Sequence, residues 1–440
     1  MASLSRLPPE LSLQVFSYLN FGDKVQLSAT CKEYRRHFAP EIFATIRFTN
    51  EENIAQSALA AVKAHGKHTV RIEFTPSTSG PGEEPFAAPA LVPAASELLQ
   101  GRHTPNARAV QIHFAFDFDN NDYWNNCNDC GIYVFEEEED EDDVEDREQN
   151  FHWRALMSET WAALSENVYV TDLTVKELVP KSTSAFLASE FCDFLGRFES
   201  ATLSIWGSDD GAGRKSCTTT AYVEWLSDDL GGAFFRHMAN LKHLAVHASM
   251  CGPLGCDGLH HIPLGFKSGD LPVLESLTLT NCYVGPELVH FLCEHAAVLK
   301  RLDIDDCVSA GANSFTADNP LSWAEFFNRL CDLQPSALAE LVVGGAHAPL
   351  TVDWDDTCDG EEISAEAREV RQVRQKLEEE PGRKLFAYYY QDDKYGTFLS
   401  MEEEIRQAFL RGDDQRAYDR LMGLVRQNAA RAGASWTEAL

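Results

Sequence analysis

The sequence predicts an α/β chain. A three-helix unit opens it, a curved and irregular solenoid of short parallel strands inside and helices outside follows, and a helical cap closes it. Three observations carry this. The stretch Leu274-Glu-Ser-Leu277-Thr-Leu279-Thr-Asn-Cys282 returns 25 residues later as Leu299-Lys-Arg-Leu302-Asp-Ile304-Asp-Asp-Cys307. Helical periodicities alternate with strand-like apolar pairs along the middle of the chain. Ahead of them, three short amphipathic stretches are packed into about 35 residues, too few for an independent core.

Residues 1–45 form the first unit. LPPELSLQVFSYL sets Leu11, Val15, Phe16 and Leu19 at helical spacing, with Pro8 and Pro9 at the helix start, where a missing N–H costs nothing. Asp23 is the expected N-cap of a second helix through KVQLSAT. CKEYRRHF makes a third, basic helix ending at Pro40.

Residues 46–350 are the expected solenoid. Beyond the 25-residue copy, alternating pairs occur at Ile46/Phe48, Ile72/Phe74, Ile112/Phe114, Leu173/Val175, Leu203/Ile205, Leu244/Val246 and Leu341/Val343. The first members, with Leu277 and Leu302, are spaced by 26, 40, 61, 30, 41, 33, 25 and 39 residues. Helical patterns lie between them at Asn53–His65, Phe151–Leu164, Ser184–Phe198, Ala221–Met238, Glu287–Val298 and Trp323–Leu333. A strand–helix unit of this size cannot bury its own apolar face, so neighbours must stack. A doubly wound sheet also alternates strand and helix, but its strands read as continuous apolar runs rather than alternating ones. Residues 351–440 hold an aromatic strand, FAYYY, and two helical patterns that cap the last unit.

Pairs pointing into the core leave the residues between them on the concave face. That row includes His247, Thr278, Asp303, Asp305 and Trp206. Trp206 is the expected anchor for a bound protein, since exposed Trp concentrates binding energy, although packing on its own loop fits the sequence equally well.

Lys and Arg number 37 and Asp and Glu 69, for a net charge of −32. Residues 136–148, EEEEDEDDVEDRE, supply −10 of it and read as a solvated, disordered insertion. A second flexible insertion is expected at about 75–90, rich in Pro, Gly and Ser. No clustered Lys/Arg supports nucleic-acid binding, and no apolar run approaches the ~18 residues of a membrane span. The N-terminus lacks signal-peptide features, and twelve scattered cysteines fit reduced thiols, so a cytoplasmic or nuclear place is expected.

Two motifs carry a family resemblance. Leu7-Pro8, Glu10-Leu11, Val15, Phe16, Leu19, Asp23, Val25, Leu27-Ser28, Cys31 and Tyr34 resemble the F-box, with Tyr34 where a Trp is common and Ile42-Phe43 for the usual closing Leu-Trp. The LxxLxL…Cys copies resemble leucine-rich repeats, and the chain as a whole is similar to F-box/leucine-rich-repeat proteins of the kind abundant in filamentous fungi. The resemblance implies that Leu7, Pro8, Leu11, Val15, Phe16, Leu19, Val25 and Leu27 bind a Skp-type adaptor, and through it a cullin. The repeats would then hold a target protein, which the net charge favours being basic.

Other chemistry is thinly represented. Gly207–Ser216 ends in Lys-Ser but lacks the glycines of a phosphate loop. Asp355–Glu366 matches part of a calcium loop, without the acid at its third position. His243, His247, Cys251, Cys256, His260 and His261 crowd nineteen residues without the tight pairs of a zinc site, and Cys127-Asn-Asp-Cys130 has no second pair nearby. No GxSxG or HExxH signature appears. The expected function is therefore that of a substrate receptor in a Skp–cullin–F-box ubiquitin ligase, not an enzyme and with no cofactor or metal. A scaffold acting outside any ligase is the alternative, and a metal enzyme seated near residues 243–261 is a third reading.

Overall fold

The computed structural model describes residues 9–78, 88–118, 131–311, 316–344 and 365–433. Three helices open the chain: α1 (Pro9–Ser17), α2 (Phe21–Thr30) and α3 (Lys32–Ile42). The cap of α2 is Asn20, whose side chain accepts the Asp23 N–H at 2.9 Å. Asp23 therefore sits in the first turn, where its charge suits the helix dipole, rather than at the cap. Pro40 does not end α3; the helix runs on to Ile42, and Phe43 N–H bonds Ala39 O at 3.0 Å.

Nine strands then build one parallel sheet: β1 (Thr45–Thr49), β2 (Arg71–Thr75), β3 (Ala109–His113), β4 (Asp172–Leu178), β5 (Ser200–Ile205), β6 (His243–His247), β7 (Ser276–Thr280), β8 (Arg301–Asp303) and β9 (Glu340–Val342). Each strand pairs with the next one along the chain, and the order never reverses. The sheet thus lacks the switch point of a doubly wound fold. Connecting helices are α4 (Glu52–His65), α5 (Pro93–Leu99), α6 (Glu141–Asn150), α7 (His152–Ser165), α8 (Ser189–Leu195), α9 (Thr220–Glu224), α10 (Leu230–Ala233), α11 (Pro286–Glu294) and α12 (Trp323–Leu333). Alternate strand residues and the facing helix residues merge into one apolar core around Trp161 and Trp323.

The 25-residue copy lies in register: Leu277 is opposite Leu302, and Leu244 stands on its other side. Two other pairs are displaced by one pleat. Ile72 and Leu173 flank Val110, not Ile112, and Leu173 and Leu244 flank Ala201, not Leu203. In both places the alternation is longer than the matched register needs, running through Phe114 past the end of β3 in one case and through Ile205, paired with Leu178 across a bulge, in the other. A period of two does not itself fix where pairing starts.

The acidic run is not a disordered insertion. Asp140 and Asp143 make a reciprocal capping box for α6, whose first turn carries Glu141, Asp142 and Asp143 against the positive end of the helix dipole. Val144 is buried, and Glu148 accepts from Ser184 N–H and Oγ at 2.8 and 2.6 Å. Glu139 accepts from Arg154 Nη2 and Lys181 Nζ, both at 2.7 Å. The second insertion is ordered at both ends. Ser77–Thr78 pairs with Ala115–Phe116, and Glu159 binds the Ala90 and Leu91 N–H groups; residues 79–87 lie outside the described residues.

The Ala221–Met238 pattern is helical, but not uniformly α-helical. One π turn at Trp225–Asp229 joins α9 to α10 in a continuous helical run over Thr220–Ala233, which closes in a 3₁₀ turn at Phe235–His237, and Gly231 lies so close to the Gly265 carbonyl that no side chain fits there. Ser184–Phe198 likewise shortens to a 3₁₀ turn and α8. After α13 (Ala365–Glu379), the strands β10 (Tyr389–Gln391) and β11 (Phe398–Ser400) form an antiparallel pair. Helices α14 (Glu402–Arg411) and α15 (Asp413–Arg431) follow. The last of these packs on α12, and Asn428 Nδ2 donates to Pro335 O and Leu338 O at 2.7 and 3.0 Å.

Candidate protein-docking surfaces

The three N-terminal helices divide their apolar residues between two uses. Phe16 is only 7% exposed and meets Tyr34 edge to face at 5.7 Å and Phe38 at 4.8 Å. It is the unit's own core, so the expectation that it binds a partner is corrected. Tyr34 serves there as the aromatic that a Trp would supply. Leu11 and Val15 on α1 and Tyr18 in the turn just past its end stand at i, i+4 and i+7 and are exposed, Tyr18 by 81%. Phe21 and Val25 repeat the pattern on α2. Leu19 and Leu27 are half-buried; Leu7 and Pro8 lie outside the described residues.

Tyr18 and Phe21 were not among the expected contacts. Their signal was available: α1 and the start of α2 carry more large apolar residues than one stripe on so small a unit can bury. Exposed apolar residues gathered on one face mark an interaction surface more often than scattered ones do. The unit is seated on the sheet region by Phe43, whose ring stacks on His65 at 4.2 Å, and is braced by Lys24 Nζ on Glu41 at 2.6 Å.

The open face of the sheet forms the second surface. One register row reads Arg47, Glu73, Gln111, Thr174, Thr202, Ala245, Thr278, Asp303 and Val342 across the nine strands. Charged residues stand near each end, at Arg47 and Glu73 and at Asp303. Glu73 binds Arg47 and Arg71 at 2.5 and 2.9 Å, and Asp303 binds Arg301 at 2.8 Å. The middle is small and hydroxylated. One pleat on, His247 Nδ1 lies 3.0 Å from Thr280 Oγ1, and burial holds the imidazole's pKa below its ordinary value. Asp305 is exposed past the end of β8. Thr278, Asp303 and His247 therefore share the face as expected.

Trp206 does not. The strand ends at Ile205, a bulge at Val175–Leu178 breaks the alternation beside it, and the segment Gly131–Phe135 lies across the strand end. Trp206 is buried there, stacked on Phe135 at 4.9 Å and edge-on to Phe118 at 5.1 Å. It is a core residue, and a binding role is withdrawn.

The remaining constellations are dispersed or undescribed. Among the described residues no three His, Cys, Asp or Glu side chains are grouped to hold a metal. His243 is exposed on β6, Cys256 is buried with Sγ toward Asp257 O, and His261 Nδ1 faces Leu259 O. The loop 207–216 is closed by Lys215 on Asp209 at 2.8 Å. Cys127–Cys130 and the calcium-like loop lie outside the described residues but for the helical backbone at its end. Among the described residues no helix is long and apolar enough to cross a membrane.

Compared with family models, residues 4–49 match the F-box-like family. The match spans α1 to α3 and ends with β1. No curated protein matches the chain. An F-box implies a role in protein–protein interaction, and F-box domains generally bind Skp-type adaptors. The chain is thus an F-box-like region followed by an α/β region with a parallel sheet and helices.

Proposed function

We propose that this protein is the substrate-recognition subunit of a Skp–cullin–F-box ubiquitin ligase. Leu11, Val15, Tyr18, Phe21 and Val25 dock the adaptor, and the open face of the sheet receives the target. The observation that carries the reading is the exposed apolar face on α1 and α2 within the F-box-like match. The sheet region reads as a leucine-rich-repeat-type solenoid, supported by its unreversed strand order and the in-register 25-residue copy. Residues 351–440 then act as its cap, with α15 lying on α12.

The protein needs no catalytic chemistry of its own in this role. Tethering a target beside a charged conjugating enzyme raises the effective concentration of acceptor lysines, which is rate acceleration by proximity. The Phe43–His65 stack matters here, since it seats the adaptor-binding unit on the target-binding one. Cytoplasm and nucleus both suit such a complex.

Co-purification of the full chain with a Skp-type adaptor tests the proposal. Leu11→Asp with Val15→Asp is expected to abolish capture while thermal unfolding stays near wild type, because both side chains are solvent-facing. Undiminished capture would remove the docking assignment and leave a scaffold acting outside the ligase.

A further inference from the structure

In a stack of strand–helix units each unit touches only its neighbours, so distant units share no stability directly. The hairpin β10–β11 crosses that limit. It leaves the cap at a firm anchor: Tyr388 OH donates to Asp414 Oδ2, and Trp323 Nε1 donates to Ala387 O, both at 2.8 Å. From there it runs back over the loops that follow earlier strands. Tyr389 N–H bonds Ser309 O, after β8, at 2.9 Å, and Phe398 meets Tyr283, after β7, edge-on at 5.6 Å. His260 Nε2, after β6, lies 3.2 Å from Asp393 O. At the hairpin turn, Tyr395 O accepts the Lys215 N–H at 2.9 Å, and Gly396 O accepts from Cys217 Sγ at 3.4 Å. Both of those partners follow β5.

The hairpin is held unevenly along its length. At the anchor, Trp323 also packs on Phe386, with ring centroids 5.5 Å apart. Beneath the hairpin, polar atoms are left over. Among the described residues, Gln391 Oε1 and Ser400 Oγ on the hairpin, and Tyr283 OH and His261 Nε2 on the loops below, are buried without a hydrogen-bond partner. The His261 and Tyr283 rings are 5.2 Å apart, so two of these atoms belong to one place. Each such atom favours water over the contact that buries it. The turn itself fits closely. Gly396 has φ +66°, and a Cβ there would lie 2.6 Å from Cys217 Sγ and 2.8 Å from Thr218 Cγ2.

We infer that β10–β11 is a strap that opens as one piece, hinged at Tyr388, before the sheet unfolds. Its turn lifts from the loops after β5, β6 and β7, and those loops lose their protection with it. Opening gives the four unpartnered atoms to water, which lowers its cost below that of parting the apolar core. While closed, the strap ties the loop after β5 to the cap beyond β9, a coupling that stacking alone does not provide. The inference stands apart from adaptor docking, because it concerns the other end of the chain.

The test is hydrogen exchange of the full chain, read by mass spectrometry at urea concentrations below the unfolding transition. Peptides covering residues 215–218 and 389–400 are expected to exchange together, with one urea dependence, ahead of those from β5 to β7. Gly396→Ala is expected to speed both about tenfold or more and to leave β1–β4 unchanged. Gly269 also has positive φ, +84°, but open space around it. Gly269→Ala therefore carries the same kind of backbone strain without the clash, and should alter both peptides less than about twofold. Asp392 accepts the Lys394, Tyr395 and Thr397 N–H groups inside the turn. Asp392→Ala loosens the turn without adding an atom, and should reproduce the Gly396→Ala pattern even if that variant folds poorly. Exchange of 389–400 with 215–218 still protected, exchange of both only with the sheet, or an equal effect of Gly269→Ala would each overturn the inference. None of these readouts depends on whether the adaptor binds.

Discussion

Glu139 Oε2 lies 2.7 Å from Arg154 Nη2, in a place where the arginine is almost wholly buried. Lys181 closes on the other carboxylate oxygen at the same distance. Burial alone would raise the Glu139 pKa, but Arg154 and Lys181 outweigh it and hold it below the usual carboxylate range. One glutamate thus compensates two buried cations and pins the acidic segment to the sheet region. Glu139→Gln leaves those cations unmatched, and a loss of about 3–5 kcal/mol in urea unfolding is expected. A loss under about 1 kcal/mol would mean that water satisfies the cations instead.

Glu287 gives a pH dependence of the opposite sense. Its carboxylate accepts the Leu264 and Phe266 N–H groups at 2.6 and 3.1 Å, yet burial pushes its pKa up to about 7. Between the ordinary value of 4.5 and about 7, the folded state therefore holds a proton that the unfolded chain has released. Stability falls as pH rises through that window, by at most about 3 kcal/mol from this group. Glu287→Gln keeps an acceptor oxygen and should flatten this part of the profile. A slope unchanged in the variant would assign it to another group.

Phe16 and Tyr18 should separate folding from docking. Phe16→Ala empties the centre of the three-helix unit and is expected to destabilise it by about 3–5 kcal/mol, read as loss of the unit's hydrogen-exchange protection. Tyr18→Ala should change stability by no more than about 0.5 kcal/mol and weaken adaptor capture about tenfold. The reverse ranking would place the docking face on the other side of α1.

Trp206→Ala is a fold variant, not a binding one. Removing a ring packed between Phe118 and Phe135 should cost about 3–5 kcal/mol and reduce the near-ultraviolet circular dichroism. A variant as stable as wild type would restore Trp206 as a surface anchor.

Much of the architecture was legible because its period is short. Leu277 and Leu302 announce their register through an intact copy, and Phe326, Phe327 and Leu330 mark α12 by spacing alone. Val110 and Ala201 were passed over for a physical reason. Alternation continues through Phe114 past the end of β3 and through Ile205 beyond the bulge in β4, and alanine is too small to register as apolar signal. Trp206 was misplaced because its burial comes from Phe118 and Phe135, brought from far along the chain. The acidic run misled through its composition: net charge describes a solvated chain well, but not one glutamate placed between Arg154 and Lys181. At the docking site, Leu11, Val15 and Val25 were readable. The division between Phe16 inside and Tyr18 outside needed the third helix, which decides which side of α1 is covered.

The strand order has a consequence for how this molecule tolerates change in length. Residues 113 and 172 bound neighbouring strands just as residues 280 and 301 do, although the first connection is far longer. Hydrogen bonding between strands fixes only where each connection must leave and return, not what it does between. Foreign loops, tags or whole domains spliced between β3 and β4 should therefore leave the ladder on either side unaltered. The same lengthening inside α1–α3 would pull apart the packing of Phe16 on Tyr34 and Phe38. The protein combines a modular body, open to splicing, with a head that is not.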